Sequence, residues 1–293
     1  MTQKLIVSLL PGATEMIVAV GGAAQLVGIS HECDWPPSVQ SLPRVTTTPI
    51  DATRPSAEIH AAVQSAVAGG RSVIGIDAET LRRLHPDIII TQQLCEVCAV
   101  ADGEAVRLAA VMDPAPEVLV LSGTTLTGVW DDVRRVAGAI GHAAEGERVA
   151  TALAEEIGAI ASVVPLRRPR VIAIEWLDPL FLAGHWVPEM IAAAGGEDVG
   201  AVAGSHSVVH GWRDVMALDP ELVFIILCGF DEARAHLELD RVRDPAIRAW
   251  LTRRAVVVLD GNAYTSRPGP RLLEGTRLMA NALRTLTARS APP

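Results

Sequence analysis

The fold is decided by residues 143–164, whose sequence is AAEGERVATALAEEIGAIASVV. The apolar side chains of this stretch recur at helical spacing, at Val149, Leu153, Ile157 and Ile160. Charged residues occupy the positions between them, and this pattern predicts an amphipathic helix. About 20 helical residues span roughly 30 Å. Pro165 ends the pattern, because proline within a helix removes a backbone hydrogen bond.

Short apolar runs on both sides of this helix predict buried strands. They cover residues 4–10, 26–30, 86–91 and 117–121 before the helix, and 171–174, 222–227 and 256–259 after it. Predicted helices separate the strands, over 15–20, 56–68, 77–84, 126–140, 188–194 and 272–287, and Thr14 is expected to cap the first of them. Such alternation is typical of α/β folds with parallel sheets. We therefore predict two α/β lobes joined by one long backbone helix, with a ligand cleft between the lobes. The expected division is a lobe over 1–142, the linking helix over 143–164 and a lobe over 165–293.

Composition excludes several classes of protein. The 293 residues are 49% hydrophobic, with a mean hydropathy of +0.31, which suffices for a large core. The net charge of −9 disfavours a generic binder of nucleic acid. We find neither an apolar run of membrane-spanning length nor a secretory signal, and we expect a cytoplasmic protein without a membrane span. The oligomeric state stays open.

All four cysteines follow predicted strands: Cys33, Cys95, Cys98 and Cys228. The carboxyl ends of parallel strands meet at one edge of a sheet, where ligands bind, so these thiols are expected to converge. Four thiolates suit zinc or an iron–sulfur cluster. His31 is a further candidate ligand, two residues before Cys33. A metal or cluster site is therefore one hypothesis, although a single Cys-x-x-Cys pair is a weak signal.

Four stretches resemble one protein family: SLLPGATE at 8–15, LVGISHECDWPP at 26–37, LHPDIIIT at 84–91 and DPELVFII at 219–226. They are similar to the cobalamin-binding and iron-chelate-binding substrate proteins of ABC importers, which have the helical-backbone type of periplasmic-binding-protein fold. Motifs at 31–34, 94–98, 175–179, 184–186, 228–231 and 262–271 resemble a leaderless subgroup that binds cobalamin. The resemblance implies a cleft with little hinge motion that binds cobalamin, haem, a siderophore or a metal ion.

A cytosolic binder of a corrinoid or another metal chelate is thus the leading hypothesis. Aromatic side chains can supply flat apolar contacts to a macrocycle: Trp35, Trp176, Trp186, Phe230 and Tyr264. Guanidinium groups present a fork of donors that suits the edges of such a ligand, at Arg267 and Arg271. Glu175, Asp178 and Asp231 complete the expected polar contacts, and His185, His31 or a cysteine is the expected axial ligand.

Two alternatives stay open. An enzyme on the same scaffold would use Glu175 and Asp178 as an acid–base pair and Cys95 or Cys98 as nucleophile. Arg267 is expected either to contact the ligand or to form a structural pair with Asp260, whichever function holds. His206 and His210 belong to a loop, SHSVVH at 205–210, for which reaching the cleft is an open alternative to a structural role.

Overall fold

The computed structural model describes residues 3–93, 102–163 and 167–290. Its strands are β1 (Ile6–Ser8), β2 (Leu26–Ile29), β3 (Thr46–Thr47), β4 (Gly75–Ile76), β5 (Ile88–Gln92), β6 (Glu117–Leu121), β7 (Arg170–Leu177), β8 (Leu180–Leu182), β9 (Glu197–Asp198), β10 (Val208–His210), β11 (Leu222–Ile225) and β12 (Ala255–Val258). Its helices are α1 (Pro11–Ala19), α2 (Ser56–Ala68), α3 (Ala78–Leu84), α4 (Asp102–Ala110), α5 (Leu126–Ala139), α6 (Ala143–Ala161), α7 (Val187–Ala193), α8 (Trp212–Ala217), α9 (Glu232–Arg241), α10 (Pro245–Thr252), α11 (Gly261–Tyr264) and α12 (Leu272–Ser290).

The strands form two main sheets, one on each side of α6 in the sequence. The first has the order β2-β1-β5-β6, and all of its strand pairs are parallel. The second has the order β10-β8-β7-β11-β12, in which β7, β11 and β12 are parallel and β8 and β10 are antiparallel. Strand β9 pairs with β7 outside this order. The predicted α/β fold with two lobes is confirmed.

The predicted long helix is present as α6. It packs against α5 of the first lobe and against α7 and α12 of the second lobe. One buried apolar cluster is shared by the two lobes, and it includes Trp130 and Leu153 together with Phe224 and Met279. Burial of this shared surface favours a fixed arrangement of the lobes. The exact lobe boundaries at residues 142 and 165 stay a prediction.

The segment at 175–186 differs from the expected long loop. Strand β7 continues to Leu177, and β8 returns antiparallel to it, with Leu180 opposite Leu177 and Leu182 opposite Ile174. Leu180 and Leu182 are buried while Phe181 between them is only partly buried, which is the alternation of a strand with one face in the core. The turn at Asp178-Pro179 interrupts the apolar run, and for that reason the hairpin was not apparent in the sequence.

The prediction that Thr14 caps α1 is wrong. The helix begins earlier, with Pro11 in its first turn, and Thr14 lies inside it. A proline fits this position because the first helical N–H groups have no partner within the helix. The Thr14 hydroxyl instead donates to Ser8 Oγ over 2.9 Å and lies 3.1 Å from Cys33 Sγ. Of the helices in the described part of the chain, none combines the length and apolar character that crossing a bilayer requires.

Candidate ligand-binding cleft

The segment between β12 and α12 joins three parts of the molecule, and we call residues 260–271 the hub segment. Its Asn262 N–H donates to the Phe230 carbonyl over 3.1 Å, which ties it to the segment after β11. Its Thr265 carbonyl accepts from Trp186 Nε1 over 2.8 Å. Its Pro268 lies against α1 of the first lobe so closely that a Cβ at Gly12 would be 2.2 Å from the Pro268 carbonyl oxygen. The hub segment therefore organises the edge at which the two lobes meet.

Arg267 of the hub segment forms a buried ionic contact between the lobes. Its guanidinium fork donates to both Asp34 carboxylate oxygens, over 2.5 and 3.0 Å, and to Glu15 Oε1 over 3.3 Å. It also donates to Asn262 Oδ1 over 2.7 Å and to the Glu32 carbonyl over 3.3 Å. Its side chain is only 6% exposed. Bidentate pairs of this kind are strong and directional, so the pairing holds one lobe against the other.

Arg271 lies between two aromatic rings, one from each lobe. Its guanidinium carbon is 4.8 Å from the Trp35 ring centroid and 4.9 Å from the Tyr264 ring centroid. Both distances are typical of cation–π contacts. Its Nη1 also lies 3.7 Å from Glu15 Oε1. We call Glu15, Asp34, Asn262, Arg267 and Arg271 the interlobe network.

The two carboxylates of the interlobe network have opposite pKa shifts. Burial raises the pKa of Glu15 to about 7, although Arg267 and Arg271 act in the other direction. The Glu15 side chain is 3% exposed, and its Oε2 has no hydrogen-bond partner. Burial alone would also raise the pKa of Asp34, but the hydrogen bonds and charge of Arg267 outweigh it, and this pKa is lowered. Asp34 therefore keeps its negative charge to lower pH than usual, while the pKa of Glu15 lies near neutral pH.

Of the two alternatives for Arg267, the structural pairing with Asp260 is wrong, because Arg267 pairs with Asp34 and Glu15 instead. Asp260 caps α11 and accepts from the Ala263 N–H over 2.7 Å. The carboxylates that Arg267 does contact come from the first lobe, far away in the sequence. Because its donors already face protein acceptors, Arg267 is placed to hold the lobes together.

A second group of predicted residues forms an aromatic pair on the second lobe. The ring centroids of Trp176 and Phe230 lie 5.3 Å apart. The guanidinium carbon of Arg234 also lies over the Phe230 ring, 5.0 Å from its centroid. Trp176 is partly buried at the end of β7, next to Glu175, and its Nε1 donates to the Asp178 carbonyl over 3.1 Å. Asp178 lies exposed in the β7–β8 turn. Asp231 caps α9 through the Arg234 N–H, over 2.7 Å.

The first lobe closes over this region at a second place. The Ser56 N–H at the start of α2 donates to Glu238 Oε2 over 3.0 Å. Arg234 donates to the Arg54 carbonyl and pairs with Glu238 over 3.1 Å. The lobes are therefore joined on two sides of the edge, through Arg267 and through Glu238.

A third group contains two imidazoles. His185 Nε2 lies 3.3 Å from His206 Nδ1, and the two rings meet edge to face with centroids 5.3 Å apart. His185 also packs against Trp186, with centroids 5.5 Å apart. Trp186 is buried, His185 is partly buried and His206 is exposed. Burial lowers the pKa of His185, and the neighbouring charge of His206 acts in the same direction. His185 can thus present neutral nitrogen to a ligand.

The predicted thiolate site is only partly within the described residues, since Cys95 and Cys98 lie outside them. Cys33 is 1% exposed, and burial raises the pKa of its thiol to about 11. A metal ligand must be the thiolate, which this environment disfavours. Cys228 is partly buried after β11. His31 Nδ1 lies 2.7 Å from Thr46 Oγ1. Within residues 3–93, 102–163 and 167–290, no three His, Cys, Asp or Glu side chains are grouped to hold a metal ion. A site made of all four cysteines stays a prediction.

Sequence reasoning did not select Glu15 or Asn262 as site residues. A signal for Glu15 existed, because it is the only charged residue in an otherwise apolar stretch from Leu5 to Val20. A lone charge within a buried helix calls for a partner. Nothing local to Asn262 indicates that its amide joins Arg267 to Asp34, because that contact depends on how the lobes meet.

Two α/β lobes bridged by one helix, with aromatic and imidazole side chains where the lobes meet, define a two-lobed binding protein. A family model described as periplasmic binding protein matches residues 6–241, and the chain belongs to that family. A vitamin B12-binding protein of Pectobacterium carotovorum is 24% identical, over 98% of this chain and 90% of its own length.

Solved structures agree with the fold. A periplasmic vitamin B12 binding protein of Vibrio cholerae superposes with a TM-score of 0.69 at 20% identity, over 97% of this chain and 98% of that one. A periplasmic heme-binding protein from Roseiflexus in its apo form superposes with a TM-score of 0.67 at 23% identity, over 97% and 99% of the two chains. The chain is thus similar throughout its length to binding proteins for two kinds of metal macrocycle.

Proposed function

We propose that this protein binds a metal-containing macrocycle of the corrinoid or haem type in the cleft between its lobes. The observation that carries the proposal is the convergence of three groups on the hub segment: the Trp35–Arg271–Tyr264 stack, the Trp176–Phe230 pair and the His185–His206 pair. Flat apolar faces and imidazole nitrogen are the groups that a planar metal complex requires. The relatives named for vitamin B12 and heme support the same class of ligand.

The role of each side chain in the cleft is assigned from how far it is exposed to solvent. Arg267 is enclosed by protein acceptors, and we assign it to fixing the lobes rather than to the ligand. Tyr264 and Trp176 are partly buried and offer ring surface at the edge. His185 offers a nitrogen for axial ligation. A cleft whose walls are held by the Arg267 ion pairs and by the Ser56–Glu238 hydrogen bond is set before the ligand arrives, which lowers the cost of ordering on binding.

Visible-absorbance titration with hydroxocobalamin, and separately with haemin, tests the proposal. One of the two ligands is expected to saturate at one equivalent, with a Kd of about 1 μM or tighter, which corresponds to about 8 kcal/mol. Trp176→Ala is expected to weaken binding at least about fivefold, since an aromatic contact of this size is worth about 1 kcal/mol or more.

Trp212→Ala is the matched control, because Trp212 is also partly buried and packs on the same apolar cluster as Trp176, but in α8. It is expected to bind as the unaltered protein does. The proposal would be refuted if neither macrocycle saturated the protein, or if the two tryptophan variants lost the same affinity.

A further inference from the structure

The His185–His206 pair has the spacing of two ligands of one metal ion. Its two ring nitrogens are 3.3 Å apart, within reach of an N–H···N hydrogen bond whose direction depends on the tautomers, and a metal ion bound between them would replace that bond. Imidazole nitrogen lies about 2.0–2.1 Å from zinc, so two nitrogens sharing one ion are about 2.9 Å apart at a right angle and about 3.4 Å apart at the tetrahedral angle. The observed separation falls between these limits.

The backbone fixes this spacing. The His185 N–H donates to the Ser205 carbonyl over 2.7 Å, and the Gly204 N–H donates to the His185 carbonyl over 2.8 Å. These two bonds lock the segments that carry the two histidines. Gly184 permits the approach, because a Cβ there would be 2.3 Å from the Ser205 oxygen. The Gly184 N–H also donates to Ser207 Oγ, over 3.0 Å.

His185 is held in an uncommon conformation. Its φ of +53° lies in the left-handed region, which a residue other than glycine adopts only where the surrounding structure holds it there. Its ring rests on Trp186, whose indole is anchored to the Thr265 carbonyl. The surrounding structure therefore determines the direction of the His185 imidazole before any ligand binds.

The pair remains accessible at the place where the lobes meet. His206 is exposed and His185 is partly buried. The adjacent Gly204 approaches Thr125 of the first lobe, with a Cβ position 3.3 Å from Thr125 Cγ2. A metal ion on the imidazoles would thus lie beside the cleft.

We propose that His185 and His206 form a two-imidazole site for a late first-row divalent metal ion such as Ni²⁺, Cu²⁺ or Zn²⁺. Imidazole suits these ions, and their affinity for nitrogen ligands rises towards Cu²⁺. In the part of the chain that the structure describes, no third His, Cys, Asp or Glu joins the pair. Water or a small chelator therefore completes the coordination sphere. The metal reaches the site either as the aqua ion or as a chelate with two adjacent open positions. This site does not depend on the proposed macrocycle ligand, because it requires only the two side chains.

Three nickel probes separate these sources in calorimetric titrations of the full chain. Nickel nitrilotriacetate leaves two adjacent coordination positions open, nickel EDTA leaves none, and NiCl₂ supplies the aqua ion. We expect one equivalent of nickel nitrilotriacetate to bind and nickel EDTA not to bind. Binding of NiCl₂ with equal or higher affinity would identify the aqua ion as the source, and weaker binding would identify the chelate.

His185→Ala and His206→Ala are each expected to weaken nickel nitrilotriacetate binding at least tenfold. His236→Ala is the control, since His236 is exposed in α9 near Glu232, and it is expected to bind as the unaltered protein does. With Cu²⁺, electron paramagnetic resonance is expected to show nitrogen couplings that both cleft variants change. The proposal is overturned if the Kd is the same in all four proteins, or if nickel EDTA binds as well as the nitrilotriacetate complex. Circular dichroism of each variant checks that the fold is retained. The macrocycle titration is a separate measurement, so a failure of the nickel site and a failure of macrocycle binding can be told apart.

Discussion

Replacement of Arg267 by alanine tests whether the interlobe network holds the lobes together. The change removes donors to Asp34, Glu15, Asn262 and the Glu32 carbonyl. Removal of one partner from a buried ion pair costs about 3–5 kcal/mol, because the other charge stays buried. The side chain of Glu15 is 3% exposed, whereas that of Asp34 is 53% exposed and can regain water. We therefore expect a loss near the lower end, about 3 kcal/mol.

The assay is urea unfolding at pH 7.5 followed by circular dichroism. Arg277→Ala is the matched control: Arg277 also pairs with two carboxylates, Glu156 and Glu274, but its side chain is 45% exposed. Surface pairs contribute about 0–1 kcal/mol, so this control should barely move the midpoint. Arg267→Lys keeps the charge but not the fork, and we expect an intermediate loss. Equal, small losses in Arg267→Ala and Arg277→Ala would refute the reasoning.

Two further predictions concern the same interface. The pKa of Glu15 is about 7 in the folded protein and 4.5 in the unfolded chain, so folding takes up a proton between these pH values. The contribution of protonated Glu15 to stability is therefore full below about pH 4.5 and is lost as the pH rises through 7. Urea unfolding gives the difference in unfolding free energy between pH 5 and pH 8, and Glu15→Gln should reduce this difference by up to about 3 kcal/mol. If the variant and the unaltered protein showed the same difference, the burial of a titrating carboxyl would be contradicted. Gly12→Ala would place a methyl group 2.2 Å from the Pro268 oxygen and should cost about 1–3 kcal/mol. Gly138→Ala in α5 has open space around it and should instead stabilise the protein by about 0.5–1 kcal/mol, so a thermal melt in which both glycine variants behave alike would count against the close packing of α1 on the hub segment.

The strands and the long helix could be predicted because local chemistry determines them. Apolar β-branched runs such as 88–90 match buried parallel strands, and the spacing from Val149 to Ile160 matches one face of α6. The β7–β8 hairpin could not be predicted because Asp178 and Pro179 interrupt the apolar run and indicate a loop. The strand character of the residues around them depends on the pairing of Leu177 with Leu180 in the folded protein.

The site could be predicted by residue type but not by partner. Tyr264, Arg267 and Arg271 were selected because aromatic and guanidinium groups suit a macrocycle. Their actual contacts with Trp35 and Glu15 join residues more than two hundred positions apart, and no local pattern indicates which carboxylate a distant arginine meets. For the same reason, the contact between His206 and His185 could not be predicted from the sequence.

The measurement that tests the account most directly is hydrogen–deuterium exchange of the full chain with and without a saturating macrocycle, first hydroxocobalamin and then haemin. A ligand bound in the proposed cleft should slow exchange in peptides covering 175–186, 228–231 and 260–271, and leave α10 (Pro245–Thr252) unchanged. Protection of these three segments by either macrocycle is the predicted result. Saturating macrocycle that protects none of them, or that protects only elements away from the hub segment, would contradict a binding site between the lobes.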